Sequence, residues 1–409
     1  MRLKGFEKLT NVDLALSSFL EQLKPERLDS ERISIHAALG RVTAEDTRAK
    51  YHLPPFDRSA VDGYALKAKD TFGVSAFNPK IFKLTENKVR ENEAREIWTG
   101  NPVPEGADSV VMLEYTERLE NKIEVGMAVT PGENVSKRGE DVTKGGVAIK
   151  AGTRLSPHHL GLLAALGETH VDVVRKPRVA ILSTGNELVE LGHKLESGQI
   201  VETNQLIFSS MCRELGAEPL ELGIAKDDLR EITAKIKEGL DKADVIITTG
   251  GTSVGYPDLV PTAVNQLGKP GVIVHGVAMR PGMPTALAIL KGKPIFILSG
   301  NPVAATIGFE VFVRPLLLRL LGIKRESRPI IKAKLTRRVA AALGRRVFLR
   351  VRVFERNGSF FAEPVRVKGS GVLTTMTKAN GYVIIPENRE GLEEGESVMV
   401  HLFYSIEGE

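Results

Sequence analysis

Val245-Ile246-Ile247-Thr248-Thr249-Gly250-Gly251 is the run that decides the fold: five β-prone residues without a charge, stopped by two glycines. A strand with no polar alternation is covered on both faces, as in parallel sheets flanked by helices. The same unit recurs on either side of it. Upstream, Val179-Ala180-Ile181-Leu182-Ser183 is a buried strand, and Asn204 caps a helix running to Leu215 and stopped by Gly216. Leu220 to Ala225 is a second strand and Leu229 to Leu240 a helix. Downstream, a helix over Leu259 to Leu267 precedes the strand Pro294 to Leu298, and a long helix from Pro302 to Leu321 closes the unit. This alternation over residues 176–324 predicts an α/β three-layer domain with a mostly parallel sheet. Ligands in such domains bind beyond the carboxyl ends of the strands.

The unusual residues fall at those ends. Gly250-Gly251-Thr252-Ser253-Val254-Gly255 offers an anion backbone amides and two hydroxyls. It is not a P-loop, because Tyr256 stands where lysine is needed, nor a dinucleotide G-x-G-x-x-G. A tight turn without a ligand is the plainer reading. Ser299-Gly300-Asn301-Pro302 opens the last helix with free N–H groups and the positive end of its dipole. Thr184-Gly185-Asn186-Glu187 places a carboxylate at the same edge. Lys226-Asp227-Asp228 and Asp258 do the same, unless they only cap the helices that follow. Carboxylates beside anion loops, without a Cys/His cluster, favour Mg²⁺. The adjacent His158 and His159 diverge on a helix and make no metal pair.

Working outward, apolar residues at helical spacing mark helices over residues 9–23 and 155–166. Between them lies a region dense in Gly, Pro and Asn. The organisation expected is a β-rich domain, 51–141, inserted into an elongated helical domain split into 1–50 and 142–175. Within the insert, Pro54-Pro55-Phe56-Asp57-Arg58-Ser59-Ala60-Val61-Asp62-Gly63-Tyr64-Ala65 reads as a stiff, charged segment. It delivers Asp57 and Asp62 and is expected to turn at Gly63 rather than to form a core strand. The plainer reading is a proline-stiffened loop with a solvated acid. Lys137-Arg138-Gly139-Glu140-Asp141 sets cations beside acids. Residues 325–409 alternate with period two, with turns at Asn357-Gly358 and Asn380-Gly381, and predict a C-terminal β-barrel.

Bulk properties narrow the class. A chain of 409 residues, 42% hydrophobic and 26% charged, is globular and too long for one core. No run approaches the roughly 18 apolar residues of a membrane span, and residues 1–7 lack the apolar core of a signal peptide. A single cysteine, Cys212, excludes an intrachain disulfide and a zinc ribbon. The expectation is a cytoplasmic protein with no membrane partner. Residues 325–368 hold 13 Lys/Arg against Glu326, Glu355 and Glu363, so this segment is strongly basic and the remainder slightly acidic. Few aromatics lie among those charges, so a solvated strand face or a rim attracting a phosphorylated ligand is preferred to nucleic acid.

The motifs together resemble the molybdopterin molybdenumtransferase family, the MoeA proteins and the E domain of gephyrin. The match runs in order through residues 54–65, Thr99-Gly100 to Asp108, Arg138 to Asp141, Ser183 to Leu188, Gly250 to Gly255 with Asp258, and Gly300 to Val303. It covers essentially the whole chain. The resemblance implies the four-domain layout and an elongated homodimer whose cleft lies between the α/β domain of one subunit and the inserted domain of the other. It implies insertion of molybdate or tungstate into adenylylated molybdopterin, with phosphoanhydride hydrolysis and release of AMP. Asp57, Asp141 and Glu187 then carry catalytic roles. Ser59, Arg138, Gly250, Gly251, Thr252, Ser253, Gly255, Arg280, Gly300, Asn301 and Pro302 bind substrate, and Asp228 and Asp258 bind Mg²⁺. A transient contact with a molybdopterin adenylyltransferase is a further implication.

Two positions depart from the pattern. Bacterial members often carry Lys-Pro-Gly-Lys-Pro where this chain has Arg280-Pro281-Gly282-Met283-Pro284, and Met283 holds no anion. Asn186 stands where Asp is frequent. Two other readings stay open. The α/β domain also resembles adenylyltransferases, although those lack residues like 54–65 and 131–141. A gephyrin-like dimeric scaffold would bind partner peptides and leave adenylylated molybdopterin intact.

Overall fold

The structure, a computed structural model, describes residues 9–251, 258–324, 326, 328–365 and 371–406. The chain divides into two compact units, Met1–Glu31 with Val174–Glu409, and Arg32–Val173.

In the first unit a six-stranded sheet has the order Glu218–Ala225, Arg178–Thr184, Val245–Thr249, Lys293–Leu298, Ala286–Leu290, Pro270–His275. The first four strands are parallel, and all five residues of Val245–Thr249 are buried, as their unbroken apolar run requires. Ala286–Leu290 runs antiparallel to both neighbours, so Pro270–His275 points the same way as the parallel strands. This edge pair lies outside the βα alternation expected from the sequence. Ala286–Leu290 joins Lys293–Leu298 through a hairpin at Lys291-Gly292, both at positive φ, where a lysine hides the usual Asn-Gly signal.

Helices cover both faces. On one side Val12–Leu23, Asn204–Leu215 and the helical run after Pro302 bury Phe19, Phe208, Phe296, Phe309 and Phe312 in one core. Phe19 meets Phe296 at 5.3 Å between ring centroids, and Phe208 stacks on Phe309 at 5.6 Å. On the other side Leu229–Lys242 and Leu259–Leu267 bury Ile232, Ile236, Val260 and Val264. Burying each such side chain contributes about 1.5–3 kcal/mol. The expected long helix is one continuous run with an interruption: Pro302–Gly308, a π-helical turn Phe309–Val313, then Arg314–Leu320. Glu310, buried in that turn, pairs with Arg328 at 2.5 Å.

Ile330–Leu335, Arg346–Arg356, Ser359–Pro364, Gly381–Ile385 and Ser397–Leu402 close into a five-stranded barrel. Closure comes from Arg346–Arg356 pairing with both Ser359–Pro364 and Gly381–Ile385. Leu349, Val351, Val353, Ala362, Val383 and Val400 belong to its core. Met279–Arg280 leaves the α/β layer and pairs in parallel with Arg346 and Val347. That short pairing carries Arg280 to the barrel's edge.

The second unit is built on a six-stranded sheet of order Ser109–Met112, Gly63–Leu66, Glu93–Ile97, Lys80–Leu84, Lys122–Val125, Thr116–Leu119. Gly63–Leu66 is entirely buried and paired on both sides, so the expectation of a turn at Gly63 is corrected. A Cβ at Gly63 would stand 1.9 Å from Val111 O. The glycine permits close backbone approach inside a core strand. A helix, Pro157–Ala165, opens with a capping box in which Ser156 N–H donates to His159 Nδ1 at 3.0 Å. Among the described residues, no helix is long and apolar enough to cross a membrane.

Candidate functional site

The loops at the carboxyl edge of the α/β sheet enclose a cavity of about 930 Å³ lined by Gly185, Glu187, Asn204, Asp227, Gly250, Gly251, Gly300 and Asn301, among others. Glycine is required at Gly250, and Gly300 comes into ordinary contact with it. A Cβ at Gly250, whose φ is 88°, would lie 2.3 Å from Thr184 O, and one at Gly300 would lie 3.5 Å from Gly250 Cα. The two glycine loops therefore approach main chain to main chain, as anion-binding loops do. Thr252, Ser253 and Gly255 lie outside the described residues.

Glu187 follows the first strand, and its carboxylate lies over Gly185, where a Cβ would be 2.8 Å from both oxygens. Asn186 and Asp227 brace each other reciprocally. Asp227 N–H donates to Asn186 Oδ1 at 3.1 Å, and Asn186 N–H donates to Asp227 Oδ2 at 3.3 Å. An aspartate at 186 would bring a second carboxylate against Asp227, so asparagine suits this chain.

Asn204 lines the cavity and is not the helix cap expected from the sequence. Thr203 occupies the cap position, and the Glu202 carboxylate accepts from Asn204 N–H at 2.7 Å and Gln205 N–H at 3.1 Å. The Asn204 side chain donates to Gly300 O at 2.9 Å, while its buried Oδ1 has no hydrogen-bond partner among the described residues. The signal hidden in the sequence is the carboxylate two residues before the asparagine.

Asp228 and Asp258 diverge. Asp228 caps its helix conventionally, accepting from Arg230 N–H at 3.0 Å and Glu231 N–H at 2.9 Å. Asp258 occupies the cap position of Leu259–Leu267, yet its side chain makes no cap bond. Its Oδ2 lies 3.0 Å from His275 Nε2, and its buried Oδ1 has no hydrogen-bond partner among the described residues. The contact is close but off the axis of a straight hydrogen bond. Burial pushes the Asp258 carboxyl above its ordinary range, and His275 opposes this only in part.

A second cavity of about 550 Å³ adjoins the first, sharing Pro284, Ser299 and Asn301. Arg280, Met283, Arg345 and Arg350 also line it. The parallel pairing of Met279–Arg280 with the barrel strand brings these arginines together. Arg345 and Arg350 carry no motif of their own; the sequence marks them only as part of the basic segment 325–368, a solvated strand face or a rim for a phosphorylated ligand. Burial depresses the Arg350 pKa, as expected of a cation held in a partly dry pocket.

In the Arg32–Val173 unit, Asp57 Oδ1 accepts from Arg138 N–H at 2.8 Å and Oδ2 lies 3.2 Å from Lys137 Nζ. The Arg138 amide bond, with smaller help from Lys137, holds the Asp57 carboxyl below its ordinary range. Glu140 accepts from Lys137 N–H at 2.7 Å and from the Ser136 hydroxyl. Asp141 is tied by its own amide to Leu53 O at 3.1 Å and is exposed. Residues 136–141 are thus folded onto 52–57, with Asp57, Arg138 and Asp141 on one loop pair. Ser59 is buried, and its hydroxyl donates to Val61 O at 2.5 Å, a local turn bond. Asp62 accepts from both Thr99 N–H and Thr99 hydroxyl at 2.6 Å, which lowers its pKa and pins the turn Trp98–Asn101.

Among the described residues, no three His, Cys, Asp or Glu side chains stand close enough to hold a metal unaided. Asp258 Oδ1, buried and without a hydrogen-bond partner among the described residues, and the exposed carboxylates of Glu187 and Asp227 are oxygen donors of the kind Mg²⁺ takes, an ion that keeps several waters and adds phosphate oxygens.

Residues 10–167 match the family described as "MoeA N-terminal region (domain I and II)", 180–319 the "Probable molybdopterin binding domain", and 332–403 the "MoeA C-terminal region (domain IV)". A putative molybdopterin biosynthesis protein of Methanocaldococcus jannaschii is 39% identical, covering 98% of each chain. A molybdopterin molybdenumtransferase of Bacillus subtilis is 37% identical, covering 93% of this chain and 91% of its own length. The crystal structure of a molybdopterin biosynthesis MoeA protein from Pyrococcus horikoshii OT3 superposes with a TM-score of 0.83 at 33% identity, over 97% of this chain and all of that one.

Proposed function

The chain belongs to the molybdopterin molybdenumtransferase (MoeA) family of molybdenum cofactor biosynthesis, and we propose that it inserts molybdate, or tungstate, into adenylylated molybdopterin with release of AMP. The observation that carries this reading is the pair of adjoining cavities, one walled by glycine loops and carboxylates, the other by three arginines. The first suits a phosphoanhydride-linked pterin, with Gly250, Gly251 and Gly300 leaving backbone room for phosphates. Asn204 Oδ1 accepts an N–H from the bound heterocycle. The second suits a tetrahedral oxyanion, held by Arg280, Arg345 and Arg350 and screened on one side by Met283.

Asp258, with Glu187 or Asp227, would hold Mg²⁺, which supplies charge neutralisation at the phosphoanhydride. Asp227 rather than Asp228 is the acid we assign at that strand end, because the Asp228 carboxylate is engaged by its helix. Glu187 orients the attacking water. Asp57 and Asp141 serve the same reaction from the inserted domain, with Arg138 as their cation; homodimer formation and a cytoplasmic setting belong to the same reading. Mixing Asp57→Asn with Glu187→Gln protein then restores activity that neither variant has alone.

The direct test is to incubate purified protein with adenylylated molybdopterin, Mg²⁺ and molybdate and to follow AMP. Release that depends on molybdate and fails in Arg350→Leu supports the reading. Release at the same rate without any oxyanion sinks it.

A further inference from the structure

We propose that His275 is a positioning residue: it draws the Asp258 carboxylate off its helix cap and leaves Oδ1 directed to a divalent cation. The inference rests on the assignment of Asp258 to the metal in the proposed reaction. Three observations carry it. First, an aspartate at a helix cap ordinarily accepts from the first turn, and giving this up costs about 1 kcal/mol. Asp258 gives it up, although Asp228 in the same position of the preceding helix does not. A local rule given up for a distant partner, with one oxygen left over, marks a candidate functional position.

Second, the partner is placed by topology. Pro270–His275 runs in the direction of the parallel strands, so His275 ends its strand at the same sheet edge as Glu187 and the Gly250 and Gly300 loops. Asp258 begins a helix at that edge, and the two side chains meet at 3.0 Å. Third, the contact engages one oxygen only. Oδ1 is buried and without a hydrogen-bond partner among the described residues, an arrangement that costs about 1–3 kcal/mol unless a ligand completes it. Ligating carboxylates are commonly fixed by just such an outer contact to the second oxygen.

Mn²⁺ binding to the full chain, measured by electron paramagnetic resonance without substrate, separates this from a role in packing. His275→Ala should weaken Mn²⁺ binding about 10- to 100-fold, while circular dichroism and the thermal midpoint stay near wild type. His275→Gln, which keeps a donor, should recover most of the affinity. Asp258→Asn should lose at least as much as His275→Ala. Wild-type affinity in a folded His275→Ala protein overturns the inference, as does a wild type that binds no Mn²⁺. Nitrogen coupling to the bound Mn²⁺ also overturns it, by making His275 a ligand. If Asp258→Asn binds like wild type, the metal assignment fails and the inference with it. If Mn²⁺ binds as expected but no AMP is released from adenylylated molybdopterin, the reaction is misassigned and the positioning role stands.

Discussion

Asp228 and Asp258 begin successive helices on one face of the same sheet, and their carboxylates go to different places. Asp228 closes on its own helix through two amides. Asp258 turns to a histidine on a strand at the far edge of the sheet and keeps one oxygen without a hydrogen-bond partner among the described residues. Sequence position alone makes the two equivalent, and the resemblance assigned both to metal. The difference teaches that a helix-starting acid is a candidate ligand only when its helix leaves it free.

The largest effect that tests this contrast is on chemistry. Asp258→Asn should reduce AMP release by about 10²-fold or more, whereas Asp228→Asn should change it less than tenfold. Equal losses in the two variants, read in the same assay, would erase the distinction.

A third aspartate sharpens the comparison from the opposite end of the sheet. Asp244 precedes Val245–Thr249 and receives both terminal nitrogens of Arg175 at 2.8 Å, as well as Arg178 N–H at 2.8 Å. Burial alone would raise its pKa, but the Arg175 bonds and the Arg178 amide outweigh it and hold the carboxyl below its ordinary 3.8. Its role is stability. Asp244→Ala should cost about 2–3 kcal/mol, because it strands Arg175 in a half-dry site. Because its folded pKa is depressed, the contribution is full above about 3.8 and is lost as pH falls through the folded value. Denaturant titrations between pH 3 and 7 should show a flatter acid limb in the variant.

Asp228→Ala tests the capping half of the contrast. It should lower stability by about 1 kcal/mol, visible as a small drop in thermal midpoint. The smallest effect concerns the second cavity. Met283→Lys adds a cation beside Arg280 and should lower the KM for molybdate several-fold, with little change in kcat. An unchanged KM would place the oxyanion elsewhere.

The parallel strands were legible because their apolar runs are unbroken, and the barrel because its residues alternate and Asn357-Gly358 turns at positive φ as read. Other features depend on what the chain meets in space. Gly63 looks like a turn until Val111 O is found against it. Asn204 looks like a cap because Glu202, which does the capping, precedes it by two residues. Arg350 sits in an ordinary basic strand and Arg345 just before it, and only the pairing of Met279–Arg280 with that strand makes a three-arginine cavity. Sequence motifs report residues that act within one loop. A pocket assembled by a two-residue ladder between distant segments leaves no local trace.

Trp98 is the chain's single tryptophan, and it stands half exposed on the turn that Thr99 fastens to Asp62. The protein thus carries a built-in optical reporter. Its ultraviolet emission comes from one indole beside the loop pair that bears Asp57, and no other fluorophore of that class contributes. Displacement, shielding or release of that turn is readable in unlabelled protein, in real time and at low concentration.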